Sequence, residues 1–170
     1  MKKLLIVTAT ALLAMATAYG ASTEQAAELL KGFEGFRPSV YKCEAGKSTI
    51  GYGFTSAAMV GKEHITEGEA SAELSRLCDG IVAKLRKELG KGNILKPNEE
   101  AAVVSFIYNV GWGAFKSSTM FRLLKDGKRG AAVGAEFRKW VYVTKDGKKV
   151  VSKGLANRRS KEAATFLGVA

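Results

Sequence analysis

The chain predicts an α+β fold, mostly helical, with one small β-sheet near the front and a long helix joining two lobes. Three observations carry that expectation. A capping box at Thr66-Glu67-Gly68-Glu69 opens a run with Ala70, Leu74, Leu77, Ile81, Leu85 and Leu89 on one stripe, closing at Gly90-Lys91-Gly92. Residues 39–54 carry Val, Tyr, Thr and Ile around Glu44-Ala45-Gly46-Lys47, the composition of a hairpin, and Gly51 and Gly53 let its backbone approach a neighbour closely. Residues 101–110 are almost entirely apolar and suit a helix at the centre of the core.

The remaining elements follow in order. Ser22-Thr23-Glu24-Gln25 reads as a capping box for a short amphipathic helix with Ala26, Leu29, Leu30 and Phe33 on its apolar face. That helix ends near Gly32–Gly35, with Glu34 at its C-terminal edge, and Pro38 prevents continuation. After Pro97, Asn98 is the expected cap of a helix whose face is Val103, Phe106, Ile107 and Val110, broken by Gly111-Trp112-Gly113. Short helices are expected at about 118–125 and 131–139, then a small hairpin around Asp146-Gly147, then a closing helix capped by Asn157 and running to Leu167. No repeat or long linker interrupts this order. Residues 21–170 therefore read as one domain: a sheet-bearing lobe over 21–64, a connecting helix over 65–90 and a helical lobe over 91–170, with a cleft between the lobes.

Residues 1–20 have a different character. Met1-Lys2-Lys3 precedes an apolar run from Leu4 to Met15, and Ala16-Thr17-Ala18 and Ala18-Tyr19-Gly20 are both small-x-small cleavage sites, the pattern of an export signal. No charge occurs over the twenty residues from Leu4 to Thr23, which is also just long enough for a weak membrane anchor. Either reading puts the body outside the cytoplasm.

The formal charge is +11, from 27 Lys and Arg against 16 acids, and without Lys2 and Lys3 it is still +9. Such a balance suits an anionic envelope or a solvated surface, and no nucleic-acid-binding motif accompanies it. Two cysteines, Cys43 and Cys78, allow one bridge and are too few for a disulfide scaffold or a metal site. The single histidine, His64, argues against a Ser-His or Cys-His catalytic pair.

The chemistry-bearing stretch is Glu34-Gly35-Phe36-Arg37, Tyr41-Lys42-Cys43 and Ser48-Thr49-Ile50-Gly51-Tyr52-Gly53. A carboxylate at a helix end is followed nine and fifteen residues later by a Cys and a Thr on the hairpin. An acid opposite a water-positioning group is the layout that glycoside hydrolysis needs, with a second carboxylate expected where this chain has a thiol.

These residues carry a family resemblance. Phe33-Glu34-Gly35, Tyr41-Lys42, Thr49-Ile50-Gly51-Tyr52-Gly53, Ile65-Thr66, Phe106-Ile107-Tyr108-Asn109-Val110-Gly111 and Gly154-Leu155-Ala156-Asn157-Arg158-Arg159 run in the order and spacing of the phage-type lysozymes, from about residue 24 to 168. The resemblance implies a two-lobed lysozyme-like fold. It also implies hydrolysis of the β-1,4 bond between N-acetylmuramic acid and N-acetylglucosamine in peptidoglycan, with no cofactor or metal, by a monomer that lyses cells. Residues 1–23 resemble the N-terminal segment of exported signal-arrest-release endolysins, which implies a periplasmic enzyme, or one tethered to the inner membrane through residues 4–23 before release.

Carried over by position, the catalytic set is Glu34 as general acid with Cys43 and Thr49 directing water or nucleophile. Arg158 is implied as the partner that orients Glu34; Tyr52 and Asn109 are candidates to line the saccharide cleft, although a tyrosine at position 52 is more often core than ligand. Cys43 departs from the family's usual Asp. An unperturbed thiol is only ~3% thiolate at pH 7, though Lys42 and Lys47 nearby favour the anion. Cys43 is thus a working substitute, a redox-controlled group or a sign of lost activity. A Cys43–Cys78 bridge would close a loop of about 36 residues and silence the site. The alternative function is a catalytically inactive or disulfide-caged peptidoglycan-binding homologue.

Overall fold

The computed structural model of the chain describes residues 9–43 and 46–169, with side chains from residue 20 onward. Residues 1–8 of the expected export segment and Glu44-Ala45 at the hairpin tip lie outside the described residues. The first helix, α1 (Ala9–Glu34), is longer than expected and runs unbroken through Ser22. Ser22 and Thr23 are buried inside it rather than capping it, and Thr23 Oγ1 donates to Asp79 Oδ1 at 2.6 Å, tying α1 to the long helix. A capping box starts a helix only where the preceding backbone is not already helical. Here the Ala- and Leu-rich residues upstream continue the helix instead. Among the described residues no helix is long and apolar enough to cross a membrane.

Strands β1 (Arg37–Lys42) and β2 (Ser48–Gly51) pair antiparallel with Tyr41 opposite Thr49 and Lys42 opposite Ser48, and a bulge lies between Arg37 and Tyr41. A short helix that the sequence did not announce, α2 (Ala57–Val60), follows. The long helix is α3 (Glu67–Leu89), opened by Thr66 with a full capping box to Glu69. Its buried stripe is Ala70, Leu74, Cys78, Val82, Leu85 and Leu89, with Leu77 and Ile81 half-buried at its edge.

Helix α4 (Pro97–Val110) crosses the centre of the molecule and is buried from Glu99 to Ile107. Its N-cap is Lys96, not Asn98. Pro97 takes the first helical position, where its missing N–H costs nothing, and the Glu99 carboxylate accepts the Lys96 N–H at 2.9 Å. Asn98 instead donates its amide to the carbonyls of Thr165 and Phe166, closing the far end of the last helix. Gly111, at φ +84°, ends α4 as expected, but α5 (Trp112–Lys116) starts directly after it.

Helices α6 (Thr119–Lys125) and α7 (Ala131–Phe137) agree with expectation, as does the hairpin of β3 (Tyr142–Lys145) and β4 (Lys148–Val151) around Asp146-Gly147. The last helix, α8 (Lys153–Leu167), is capped five residues earlier than expected, by Ser152 rather than Asn157, because Ser152 Oγ accepts the Leu155 N–H.

Two clusters of buried side chains share α3 and α4. One gathers Leu30, Ile50, Tyr52, Phe54, Ile65, Leu74 and Cys78 around the first hairpin. The other gathers Leu85, Phe106, Phe115, Met120, Phe137 and Phe166 among the C-terminal helices, and Ile81 packs against both. The Phe106 ring meets Phe115, Phe137 and Trp140 edge-on, with centroids 5.4–6.4 Å apart, the geometry that aromatic quadrupoles favour. The described residues form an α+β fold, mostly helical, with two small antiparallel hairpins.

Candidate active site

Glu34 is the last residue of α1, and the chain leaves the helix there because Gly35 takes φ +66°. Its Oε1 accepts from Arg158 Nη1 on α8 at 2.6 Å. The Arg158 guanidinium also lies 4.7 Å over the Phe33 ring, so α1 holds it by charge and by a π face together. On its other side Glu34 faces the loop after β2. A Cβ on Gly53 would stand 3.5 Å from Glu34 Oε2 and 4.0 Å from the Tyr108 hydroxyl. A groove lined by Glu34, Arg37, Val40 and Tyr41 runs along β1, and a second hollow is lined by Gly53, Thr55, Glu73, Arg76 and Tyr108.

Cys43 follows the end of β1 and is half-buried. Its N–H donates to the Lys47 carbonyl at 3.0 Å, and Thr49 Oγ1 donates to the same oxygen at 3.1 Å. The hairpin turn thereby brings Cys43 and Thr49 together, while Glu34 sits toward the opposite end, beside Gly53. Thr49 is buried, at 3% exposure. No disulfide joins Cys43 to Cys78. The Cys78 thiol is fully buried on α3 and burial, with Asp79 beside it, pushes its pKa up to about 12. The caged form is therefore not the one seen.

Tyr52 corrects an expectation. It is a core residue, 2% exposed, and its hydroxyl donates to Glu67 Oε1 at 2.9 Å rather than lining a cleft; burial raises its pKa, with the Glu67 bond adding to the effect. A tight turn is the reason: Tyr52 and Gly53 lie beyond β2, in a turn closed by the paired backbones of Ile50 and Phe54. Ile50, Tyr52 and Phe54 all feed the core, whereas Gly53 faces the acid. Asn109 is exposed at the end of α4, and its Oδ1 accepts from Arg159 Nη2.

Two groups were not singled out from the sequence. Tyr108 donates its hydroxyl to the Tyr52 carbonyl at 2.9 Å, and burial together with the Glu34 charge pushes its pKa up. Its place inside the 106–111 motif was the available signal. Glu162 is fully buried, accepting from Ser105 Oγ at 2.7 Å, Arg158 Nε at 3.1 Å and Arg159 Nη1 at 2.6 Å. Burial pushes the Glu162 carboxyl upward and pulls Arg159 downward from their ordinary values, each partner opposing the shift of the other. In sequence, Arg158-Arg159-Ser160-Lys161-Glu162 looks like a solvated helix face.

Among the described residues no cluster of His, Cys, Asp and Glu is arranged to hold a metal ion. The Phage lysozyme family model matches residues 31–162, a span that includes Glu34, Cys43, Thr49, Asn109, Arg158 and Glu162. The endolysin of Acyrthosiphon pisum secondary endosymbiont phage 1 is 35% identical over 144 residues, covering 85% of this chain and 96% of that protein. The SAR-endolysin of Bacteriophage PS119 is 31% identical over 131 residues, covering 77% of this chain and 74% of its own length. The chain spans only about half the length, 52% and 51%, of the endolysins of Bacillus phages PZA and B103 that it also matches. Among solved structures, the endolysin from Escherichia coli O157:H7 phage FAHEc1 superposes with a TM-score of 0.75 at 32% identity, covering 86% of this chain and 92% of that one. The chain belongs to the phage lysozyme family, and it is a glycoside hydrolase of the muramidase type.

Proposed function

We propose that this protein is an exported endolysin that cleaves the β-1,4 bond between N-acetylmuramic acid and N-acetylglucosamine and so lyses bacterial cells, with Glu34 as general acid. Glu34 gives its proton to the leaving glycosidic oxygen as the bond to the anomeric carbon breaks and the ring gains oxocarbenium character. Cys43 and Thr49 direct the water that completes hydrolysis. The Thr49 proton is committed to the Lys47 carbonyl, so the hydroxyl meets a water through its lone pairs. The Cys43 sulfur, as thiolate, takes a proton from that water or itself engages the anomeric carbon.

One observation carries the reading: the 2.6 Å contact between Glu34 and Arg158, two residues 124 apart in the chain, at the end of a groove along β1. Asn109 supports it as a sugar contact. With its oxygen taken by Arg159, its amide N–H groups remain as donors for a glycan. Export rests on residues 1–20 and on the SAR-endolysin relatives, and the tether through residues 4–23 would precede release. The basic body suits an anionic envelope, approached as a monomer. A glycan-binding homologue without activity is the second reading, and the thiol at residue 43 is what favours it.

Digestion of purified peptidoglycan by the body without residues 1–20, followed by mass spectrometry of the products, tests the proposal. New reducing ends on N-acetylmuramic acid are expected. Binding without any new reducing end would favour the inactive homologue, and reducing ends on N-acetylglucosamine would refute the bond assignment.

A further inference from the structure

Arg158 stands 2.6 Å from the proposed acid, and a buried cluster behind it holds its guanidinium there. Arg158 gives Nη1 to Glu34, Nε to Glu162 and Nη2 to the Ser105 carbonyl at 3.3 Å, so three elements fix the plane of one guanidinium. Glu162 accepts on both oxygens, Oε1 from Ser105 and Arg158 and Oε2 from Arg159, and the two guanidiniums favour its carboxylate against the burial that pushes it upward. Arg159 then reaches past Glu162 to Asn109, with its guanidinium 4.8 Å over the Phe106 ring.

We infer that Glu162 is a positioning residue of the active site: it aims Arg158 at Glu34, its negative charge offsets Arg158 so that Glu34 can carry a proton, and through Arg159 it fixes Asn109 in the same unit. The inference rests on Glu34 being the acid. Among the described residues, the groups facing Glu34 are Arg158 from α8, Tyr108 from α4 and the Gly53 backbone after β2, with Arg37 of β1 lining the same groove; those facing Glu162 are Ser105 from α4 and Arg158 and Arg159 from its own helix. Glu34, Arg158, Glu162 and Arg159 sum to zero charge when Glu34 is ionised and to +1 when it is protonated. Without the Glu162 charge the same two states carry +1 and +2, which penalises the proton that the acid must hold.

The test is the pH dependence of peptidoglycan cleavage by the wild type, Glu162→Gln and the charge-balanced pair Arg159→Gln/Glu162→Gln, with near-ultraviolet circular dichroism to establish folding. In Glu162→Gln the alkaline limb moves about one pH unit toward acid, a tenfold loss of rate on that side. The double variant returns toward the wild type. A folded Glu162→Gln with an unmoved limb, or a double variant shifted as far as the single, overturns the inference. Should Glu162→Gln not fold, Arg159→Gln decides by the opposite sign: it leaves Glu162 less balanced, and the limb moves toward alkali or the inference fails.

A readout on the wild type needs no substitution. The Arg158 Nε–H is expected to exchange slowly by side-chain nitrogen NMR, and rapid exchange with solvent contradicts the buried anchor. Glu34→Gln separates the two levels. If it stays active, the acid assignment falls and this inference with it; if it is inactive while Glu162→Gln keeps its limb, the inference alone falls.

Discussion

Cys43 and Thr49 hang from one atom. The Lys47 carbonyl accepts the Cys43 N–H at 3.0 Å and the Thr49 hydroxyl at 3.1 Å, so the turn that closes the first hairpin also sets the spacing of the two groups proposed to handle water. The neighbouring pairing of Tyr41 with Thr49 and Lys42 with Ser48 holds that turn in register.

Substitution at Cys43 measures what the sulfur contributes. Cys43→Asp restores a group ionised at neutral pH and is expected to keep or raise the rate of wall cleavage. Cys43→Ala removes the base and is expected to lower it by roughly 10²–10⁴-fold, the range of acid–base assistance. Thr49→Ser keeps the hydroxyl and most of the rate, whereas Thr49→Val does not. Retention of full rate by Cys43→Ala would leave the thiol without a role.

The two thiols are also chemically distinct. Cys78 is fully buried among Leu74, Val82 and Ala101, with its pKa pushed up to about 12, so it stays protonated at neutral pH. Iodoacetamide at neutral pH is expected to label Cys43 alone in the folded protein, in step with loss of activity. Peptide mass spectrometry that finds Cys78 labelled first would contradict this packing.

Gly51 and Gly53 separate stability from activity. At Gly51, φ is +65° and a Cβ would stand 2.7 Å from the Phe54 ring, so Gly51→Ala combines backbone strain with overpacking of the core and is expected to cost about 2–4 kcal/mol in urea unfolding. At Gly53, φ is +89°, but a Cβ meets only the Glu34 carboxylate and Tyr108, at ordinary contact distance. Gly53→Ala is expected to cost only about 1–2 kcal/mol while lowering the rate, because its methyl group shields the acid from substrate. Equal effects of the two substitutions on stability would argue against this division.

The capping box of α3 has its own pH signature. Glu69 accepts from the Thr66 N–H and hydroxyl at 2.9 Å each and from Lys62, and those bonds, the backbone one first, lower its pKa to about 2. A carboxylate depressed in the folded state stabilises fully above its unfolded value and loses that contribution as pH falls through its folded value. The stability gap between wild type and Glu69→Gln is therefore expected to be constant at neutral pH and to shrink between about pH 4.5 and 2. A gap that persists at pH 2 would show that the ionised box is not its source. Thr66→Ala removes the cap itself, at about 1 kcal/mol.

What could be read before the structure was what local chemistry decides. Thr66 and Glu69 lie within one turn of each other, so their box was visible in the chain, as was the Asp146-Gly147 turn, where both residues take positive φ. Asn98 and Ser22 looked like caps by the same logic and were not, because whether a polar side chain serves its own helix or a neighbour depends on packing. The contact of Glu34 with Arg158 followed from resemblance alone, since a gap of 124 residues has no local signature. Glu162 was hidden for the same reason: a glutamate beside two arginines and a lysine reads as surface until α4 covers it with Ser105. Tyr52 was misplaced because a tyrosine in a glycine-rich loop suits a sugar as well as it suits a core.

The proton donor is tested most directly by Glu34→Gln, assayed on purified peptidoglycan for cleavage and for sedimentation with the wall. The side chain keeps its size and can still accept from Arg158, but it has no proton to give. Cleavage is expected to fall by at least about 10³-fold, with sedimentation and unfolding temperature close to the wild type. Cleavage within a fewfold of wild type by a folded Glu34→Gln protein would contradict the account.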